Sequence, residues 1–435
     1  MIDNLYKAYH YWRLYGTAIL FRLIIRRLVN KKENSKINSP EATIYTNRIL
    51  TSSKICNTRF QALTPLTLFL LRKSESYRVN VVTDSVNKGS LFGGVGTALI
   101  FSALLANRLD VSLRIITRTE RADPQVVSDL LALYGITLKN EPIFNYAAPY
   151  DNKYSLDFVE KDIFITTSWW TTAATLPTVS FSKILYILQE DERMFYPFGD
   201  ERHKCEEILK NKNIKFIINT RLLYEYFIDQ GFDNIQKNGT WFEPAFPKNI
   251  FHKKERSKTE KLKLFFYARP NNPRNLFYLG LEVLEQAVLQ RIITPEKWDI
   301  YLVGKNIPSI TLGENISPTK YEGLSWAEYS ALIGTIDVGL CLMYTPHPSY
   351  PPLDLVGSGA VVVTNQFENK TSLENYSKNL ICTQLNRDNL VEGLREATKM
   401  AANSKLRDQN YSENKLATDW NIVFLEIIRD IEEDR

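Results

Sequence analysis

Histidine and cysteine are scarce in this chain of 435 residues, which holds four of each. His10, His203, His252 and His347 share no metal-ligand spacing, and Cys56, Cys205, Cys341 and Cys382 lack the paired spacing of a zinc site or disulfide framework. No metal is therefore expected on these residues, and unpaired thiols suit a reducing cytoplasm. Long apolar runs are missing too: Arg22, Arg26 and Arg27 interrupt the N-terminal one, which argues against a membrane span or signal peptide there. Beyond residue 36 the chain carries 46 basic against 47 acidic residues, so no nucleic-acid partner is expected. The glycines of Lys88-Gly-Ser-Leu-Phe-Gly-Gly-Val-Gly-Thr97 miss the G-x-G-x-x-G spacing, and no acidic residue ends the strand that follows at Ser112–Thr117. A dinucleotide-dependent dehydrogenase is disfavoured.

What is present is an alternation of short apolar strands with helical stretches, long enough for two domains with separate cores. Strands are expected at Arg78–Thr83, Ser112–Thr117, Asp162–Thr166, Lys183–Leu188 and Lys215–Ile218, with a glycine-rich turn leading into a helix Ala98–Leu109. Residues 1–36 carry eight basic and two acidic residues, and Tyr11, Leu14, Tyr15, Ala18, Phe21, Ile25, Leu28 and Val29 recur at helical spacing. Two readings stand for this basic amphipathic helix: residues 1–32 lie on an anionic membrane surface, or they pack on protein. Pro244, Pro247 and the basic run Lys253–Lys263 mark an interdomain linker over 246–263. The stripe Leu416, Trp420, Val423, Ile427 and Ile431 predicts a final helix within 411–435 that returns to the first domain.

The most telling stretch runs from Tyr344 to Thr364, between the apolar strands Asp337–Leu342 and Ala360–Val363. It reads as strand, loop, short helix and strand, so the loop lies at the carboxyl edge of a parallel sheet, where such folds bind ligands. Pro351 and Pro352 begin the helix at no cost in hydrogen bonds, and the amides of Ser349 and Tyr350 are expected to face an anion. Asp354, one turn in, is placed to hold a ribose hydroxyl. Upstream, Arg269 and Arg274 flank another strand-to-helix turn, where guanidinium groups suit a diphosphate leaving group. Ser325 and Glu328 form a capping box, which fixes the turn Tyr321–Leu324 with Gly323 as a place for nucleobase contacts. Gln189-Glu-Asp-Glu192 closes a strand of the first half; Asp191 and Glu192 are expected at the cleft rim, near acceptor hydroxyls. The rival reading makes Glu190 to Glu192 a metal-binding triplet.

These segments resemble the carboxyl-terminal domain of GT-B glycosyltransferases of family 4, and within it the WsaF-type rhamnosyltransferases of bacterial polysaccharide assembly. The resemblance rests on Phe265-Phe-Tyr-Ala-Arg-Pro270, His347-Pro-Ser-Tyr-Pro-Pro-Leu353, Asn365-Gln-Phe-Glu-Asn-Lys370 and Tyr186 to Pro197, and covers residues 75 to 425. It implies an α/β GT-B fold, with a Rossmann-like acceptor domain over 37–245, a donor domain over 264–410, and a central cleft. Carried over by position, Arg269 and Arg274 fall where the family has an Arg and a Lys, and Asp354 falls on the ribose-binding Glu; the family's other Glu is replaced by Pro346. His347, Ser349, Tyr350 and Gly323 complete the expected donor site, and Gly93 and Gly94 face the cleft. A Lys expected near Gly323 is missing, with Lys305 or Lys320 as substitutes.

The resemblance further implies retaining, metal-independent transfer of a sugar, L-rhamnose from dTDP-β-L-rhamnose being the first choice, to a glycan acceptor that can be lipid-linked. Arg269, Arg274 and Asp191 are the expected catalytic residues, with no cofactor beyond the donor. The expected location is the cytoplasm, peripheral at the inner face of the membrane. No residue reads as the nucleophile of a double displacement. A nucleotide-sugar 2-epimerase and a non-catalytic glycan-binding protein remain as alternatives.

Overall fold

The computed structural model describes residues 51–72, 76–87, 93–149, 155–255 and 260–434. The N-terminal amphipathic segment lies outside them. Two bodies divide the chain. In the first, the helix Ser52–Arg59 is capped by the Thr51 hydroxyl, which accepts from the Lys54 amide, and buries none of its residues. The second, Gln61–Arg435, holds two parallel sheets.

The first sheet has seven strands: β1 (Arg78–Thr83), β2 (Ser112–Thr117), β3 (Ile143–Tyr146), β4 (Ile163–Thr166), β5 (Ile184–Leu188), β6 (Lys215–Asn219) and β7 (Gly239–Phe242). Their spatial order is β3-β2-β1-β4-β5-β6-β7, all parallel. The second has six: β8 (Leu262–Ala268), β9 (Trp298–Gly304), β10 (Thr319–Glu322), β11 (Val338–Leu340), β12 (Val361–Asn365) and β13 (Leu380–Thr383). Its order, β10-β9-β8-β11-β12-β13, repeats the same winding. In both, strand order reverses beside the first strand, β1 against β4 and β8 against β11. Loops leaving those strands splay apart there and leave a crevice at the carboxyl ends. A two-stranded parallel sheet of Thr67–Leu70 and Ser155–Phe158 packs Leu156 with Val82, Ile116 and Phe164 of the first sheet.

Apolar sequence explains most of the burial: β5, Ile-Leu-Tyr-Ile-Leu, and β12, whose three valines precede Thr364 and Asn365, are buried at every position, as strands covered on both faces must be. The helix α1 (Gly94–Leu109) follows β1 and is buried from Gly96 to Ala106. It lies against the last helix, α5 (Trp420–Glu433), whose Phe424 ring is 5.0 Å from Phe101 and 4.9 Å from Phe242. The chain's end is thus part of the first sheet's core. Three further helices follow strands of the second sheet, α2 (Phe277–Leu289) after β8, α3 (Trp326–Ile333) after β10, and α4 (Tyr350–Gly357) after β11, and the last two border the crevice.

The segment expected as a linker is in part core. Phe246, Ile250 and Phe251 are at most 3% exposed and pack with Phe265, Leu353 and Val356 of the second half. The prolines mark an irregular backbone correctly, but three large apolar side chains bury it. The second half begins two residues earlier than expected, because Leu262 pairs in register with Trp298.

Candidate active site

The crevice between the two halves contains a cavity of about 600 Å³, within the usual range for small-ligand sites. Arg269, Gly304, Lys305, Tyr321, Gly323, Ser349, Tyr350 and Asp354 line it from the second half, with Gly93, Thr97, Ile100 and Tyr134 from the first. Strands β8 and β9 approach so closely at their ends that a Cβ on Gly304 would lie 1.8 Å from the Ala268 carbonyl oxygen. Only glycine fits, and the turn into Lys305 opens onto the cavity. Lys305 is exposed there, whereas Lys320 donates to Ser309 Oγ at 3.0 Å outside it. Of the two substitutes considered for the missing cation, Lys305 has the site geometry.

Helix α4 starts as the two prolines require, and its first residue is preceded by Ser349 at φ 71°, ψ 151°. A non-glycine residue held at positive φ stores strain of about 1–3 kcal/mol, which the surroundings must impose. The local cause is His347. Its Nδ1 accepts the Ser349 amide at 2.8 Å, so that amide is turned into the protein and does not face an anion as expected. Tyr350, which lines the cavity, has a further role in its side chain. Its hydroxyl meets Thr97 Oγ1 at 2.6 Å and accepts from Asn219 Nδ2 at 3.0 Å, joining the start of α4 to α1 and the end of β6.

Asp354 is 5% exposed, lines the cavity, and accepts from the Tyr329 hydroxyl at 3.0 Å. Burial raises its pKa to about 8, with the Tyr329 bond opposing the shift. Gly323, at φ 66°, has nothing within 4 Å of where a side chain would begin, so its backbone is presented to open space. The glycine pair divides. Gly93, at φ 84°, lines the cavity, while a Cβ on Gly94 would lie 2.8 Å from Gln189 Cγ, so Gly94 serves close packing.

The two arginines also divide. Arg269 lines the cavity. Arg274 is absent from its lining; its Nη1 donates to Glu190 Oε2 at 3.0 Å and its guanidinium lies 4.4 Å from the Phe195 ring centroid. Its carbonyl accepts the Tyr344 amide at 2.7 Å, which holds the turn against the loop leading to Ser349. Asp191 does not reach the rim: it is fully buried and grips the Arg193 guanidinium through bonds of 2.9 and 2.8 Å. Glu192 is buried too, accepting the Trp169 amide at 2.7 Å. The three successive carboxylates thus serve three different partners, at a turn where Asp191 caps a short 3-10 helix that begins at Glu192. The member facing the second half is Glu190.

Several site residues escaped sequence reasoning. Thr345 donates to Glu190 Oε1. Lys370 is fully buried; its ammonium lies 3.4 Å from the Met343 carbonyl and 3.5 Å from that of His347, and burial lowers its pKa to about 8. A lysine placed just after the apolar strand β12 was the available signal. Thr97, Asn219 and Tyr329 carried none, since each works through a partner distant in sequence.

Two halves, each built on a parallel sheet with the same winding and facing one cleft, give the GT-B architecture of glycosyltransferases. A glycosyltransferase from Rickettsia africae aligns over 83% of this chain and 100% of its own, with a TM-score of 0.51 at 13% identity. A Staphylococcus aureus TarM variant, in complex with fondaparinux, α-GlcNAc-glycerol and UDP, covers 82% and 99%, with a TM-score of 0.56 at 10% identity. At such identities the likeness speaks for the fold. The family follows from sequence: residues 78–221 match the WsaF N-terminal domain and residues 262–395 the WsaF C-terminal domain. The chain belongs to the WsaF family. It is also 29% identical over 259 residues to the O-antigen biosynthesis protein RfbC of Myxococcus xanthus, covering 60% of this chain and 20% of that much longer protein.

Proposed function

We propose that this glycosyltransferase acts in surface-polysaccharide assembly, transferring a sugar from a nucleoside diphosphate donor to a glycan with retention at the anomeric carbon and without a metal ion. The observation that carries the reading is the cavity at the second switch point, where Arg269, Lys305, Gly323 and Asp354 share one space. Such an arrangement suits a nucleotide sugar: the cations balance diphosphate charge, Asp354 takes a ribose hydroxyl, and the Tyr321–Leu324 turn borders the base. Fixed positive charge stabilises the leaving group as its bond breaks, which is the service a divalent ion gives elsewhere. The donor's phosphate oxygen takes the proton from the acceptor hydroxyl on the same face. The RfbC likeness supports polysaccharide work, and family membership makes dTDP-β-L-rhamnose the first donor to try.

The test is transfer from a panel of nucleotide sugars to a surface-glycan acceptor, with excess EDTA in a parallel arm and proton NMR of the product's anomeric centre. Transfer in EDTA with the donor's configuration preserved is expected. Inversion, or loss of activity on chelation restored by Mn²⁺, would refute the corresponding part. Sugar isomerised in the absence of acceptor would instead identify an epimerase.

We further propose that residues 1–32 hold the enzyme at an anionic membrane surface near lipid-linked acceptors. No helix of the described residues is long and apolar enough to cross a membrane. In flotation with anionic liposomes, the chain without residues 1–32 should stay at the bottom of the gradient; flotation equal to that of the full chain rejects the anchor.

A further inference from the structure

Glu190 belongs to the first half, at the end of β5, yet its carboxylate is bound by the second half. It is 9% exposed; Oε2 accepts from Arg274 Nη1 at 3.0 Å, and Oε1 accepts from the Thr345 hydroxyl. The Arg274 pair spans 84 residues of sequence and the Thr345 pair 155. Behind these contacts lie two more groups suited to an anion. The Lys370 ammonium is fully buried; Cys382 and then Glu190 favour its charged form, and among the described residues its hydrogen bonds are two long contacts to carbonyls.

His347 is the second. Because Nδ1 accepts the Ser349 amide, the neutral ring carries its proton on Nε2. Burial and the neighbouring Lys370 and Arg274 charges lower its pKa to about 3, so the ring is neutral. Nε2 is buried with no hydrogen-bond partner among the described residues. An unmet donor beside two cations is a place for an acceptor oxygen. The loop bearing Thr345 and His347 leads directly into Ser349 and α4, and the Arg274 carbonyl holds that same loop. Guanidinium, hydroxyl, ammonium and imidazole N–H therefore gather beside the cavity's helix start, and the anion among them is a side chain from the opposite domain.

We propose that Glu190 is an internal stand-in for donor phosphate: its carboxylate occupies the Arg274–Thr345 anion position until a nucleotide sugar arrives, and donor binding exchanges one anion for the other. The inference rests on the donor-site reading above and adds a competitor to it. Before exchange the carboxylate satisfies Arg274 and holds the two halves together. After exchange the phosphate takes over Arg274, and the freed carboxylate turns toward the acceptor side of the cleft. No covalent step is involved. The competition weakens nucleotide binding in the resting enzyme and speeds release of the nucleoside diphosphate product.

The experiment is calorimetric titration of the full-length wild type and Glu190→Gln with UDP, dTDP and inorganic pyrophosphate, with thermal melting to establish folding. Glu190→Gln removes the competing charge and keeps the shape, so nucleoside diphosphate should bind about tenfold tighter, the scale of one lost charge-assisted bond. Pyrophosphate should shift the same way. Glu190→Asp, which keeps the charge but retracts it, should fall between the two and provides a second variant if the amide folds poorly. Equal or weaker binding by folded Glu190→Gln overturns the exchange while leaving the donor site standing. Binding of no nucleoside diphosphate by either protein overturns the donor-site reading and the exchange with it.

Discussion

Arg269 and Arg274 stand on one turn, five residues apart, with the same guanidinium chemistry and opposite circumstances. Arg269 borders the cavity, where its nearest polar partner is the Tyr267 hydroxyl at a long 3.4 Å. Arg274 is spent on an interdomain ion pair and a phenylalanine ring. Spacing places two cations on one strand-to-helix turn, but long-range partners decide which of them borders the cavity. The first faces the cavity, and on the proposed reading its loss should cost chemistry. The second also holds the protein together, and its loss should cost stability as well.

The largest effect should follow from Arg269→Ala. Removal of a fixed charge facing a leaving group is expected to lower turnover at least about a hundredfold, with the melting temperature near that of wild type. Arg274→Ala should lower activity too, but in addition it strands Glu190, already pushed upward in pKa by burial. Unfolding free energy is expected to fall by about 2 kcal/mol, read by chemical denaturation. If the two variants lose activity with equal stability, or if Arg269→Ala transfers sugar normally, the contrast between the arginines is wrong.

Much of the fold was legible because local rules sufficed for it. The run at 184–188 is apolar throughout, those at 78–83 and 112–117 are aliphatic or β-branched at four of six positions, and Pro351-Pro352 can sit only in a first helical turn. The site was legible as a region, since switch-point loops follow from strand order. What a single stretch could not reveal were the partners: Tyr350 reaches a threonine 253 residues away, and Asp354 a tyrosine one helix upstream. The triplet Glu190-Asp-Glu192 shows the limit most directly. Three adjacent carboxylates look interchangeable in sequence, and Asp191, the one favoured for the cleft, proves to be the most enclosed. Its neighbour Arg193, two positions on, was the overlooked reason: the buried pair satisfies both charges locally.

The same tension between fit and function recurs, on a smaller scale, at Asp354. In an unfolded chain an aspartate titrates near 3.9, whereas here burial moves it to about 8. The native state therefore holds one more proton than the unfolded state between those values, and stability falls as pH rises through that window. Its neighbours Tyr134, Tyr329, Tyr350 and Cys341 are all shifted upward and stay neutral, so the difference between wild type and Asp354→Asn isolates this carboxyl. The asparagine variant should melt above wild type at pH 8.5 and converge with it toward pH 4. Nucleotide binding should move the other way. Wild-type affinity is expected to strengthen from pH 6 to 8.5, as the carboxylate that accepts a ribose hydroxyl forms, and the variant should stay flat, ending about tenfold weaker. A wild-type affinity that ignores pH over that range would make Asp354 a buried structural acid, and would leave Arg269 and Lys305 to define the donor site.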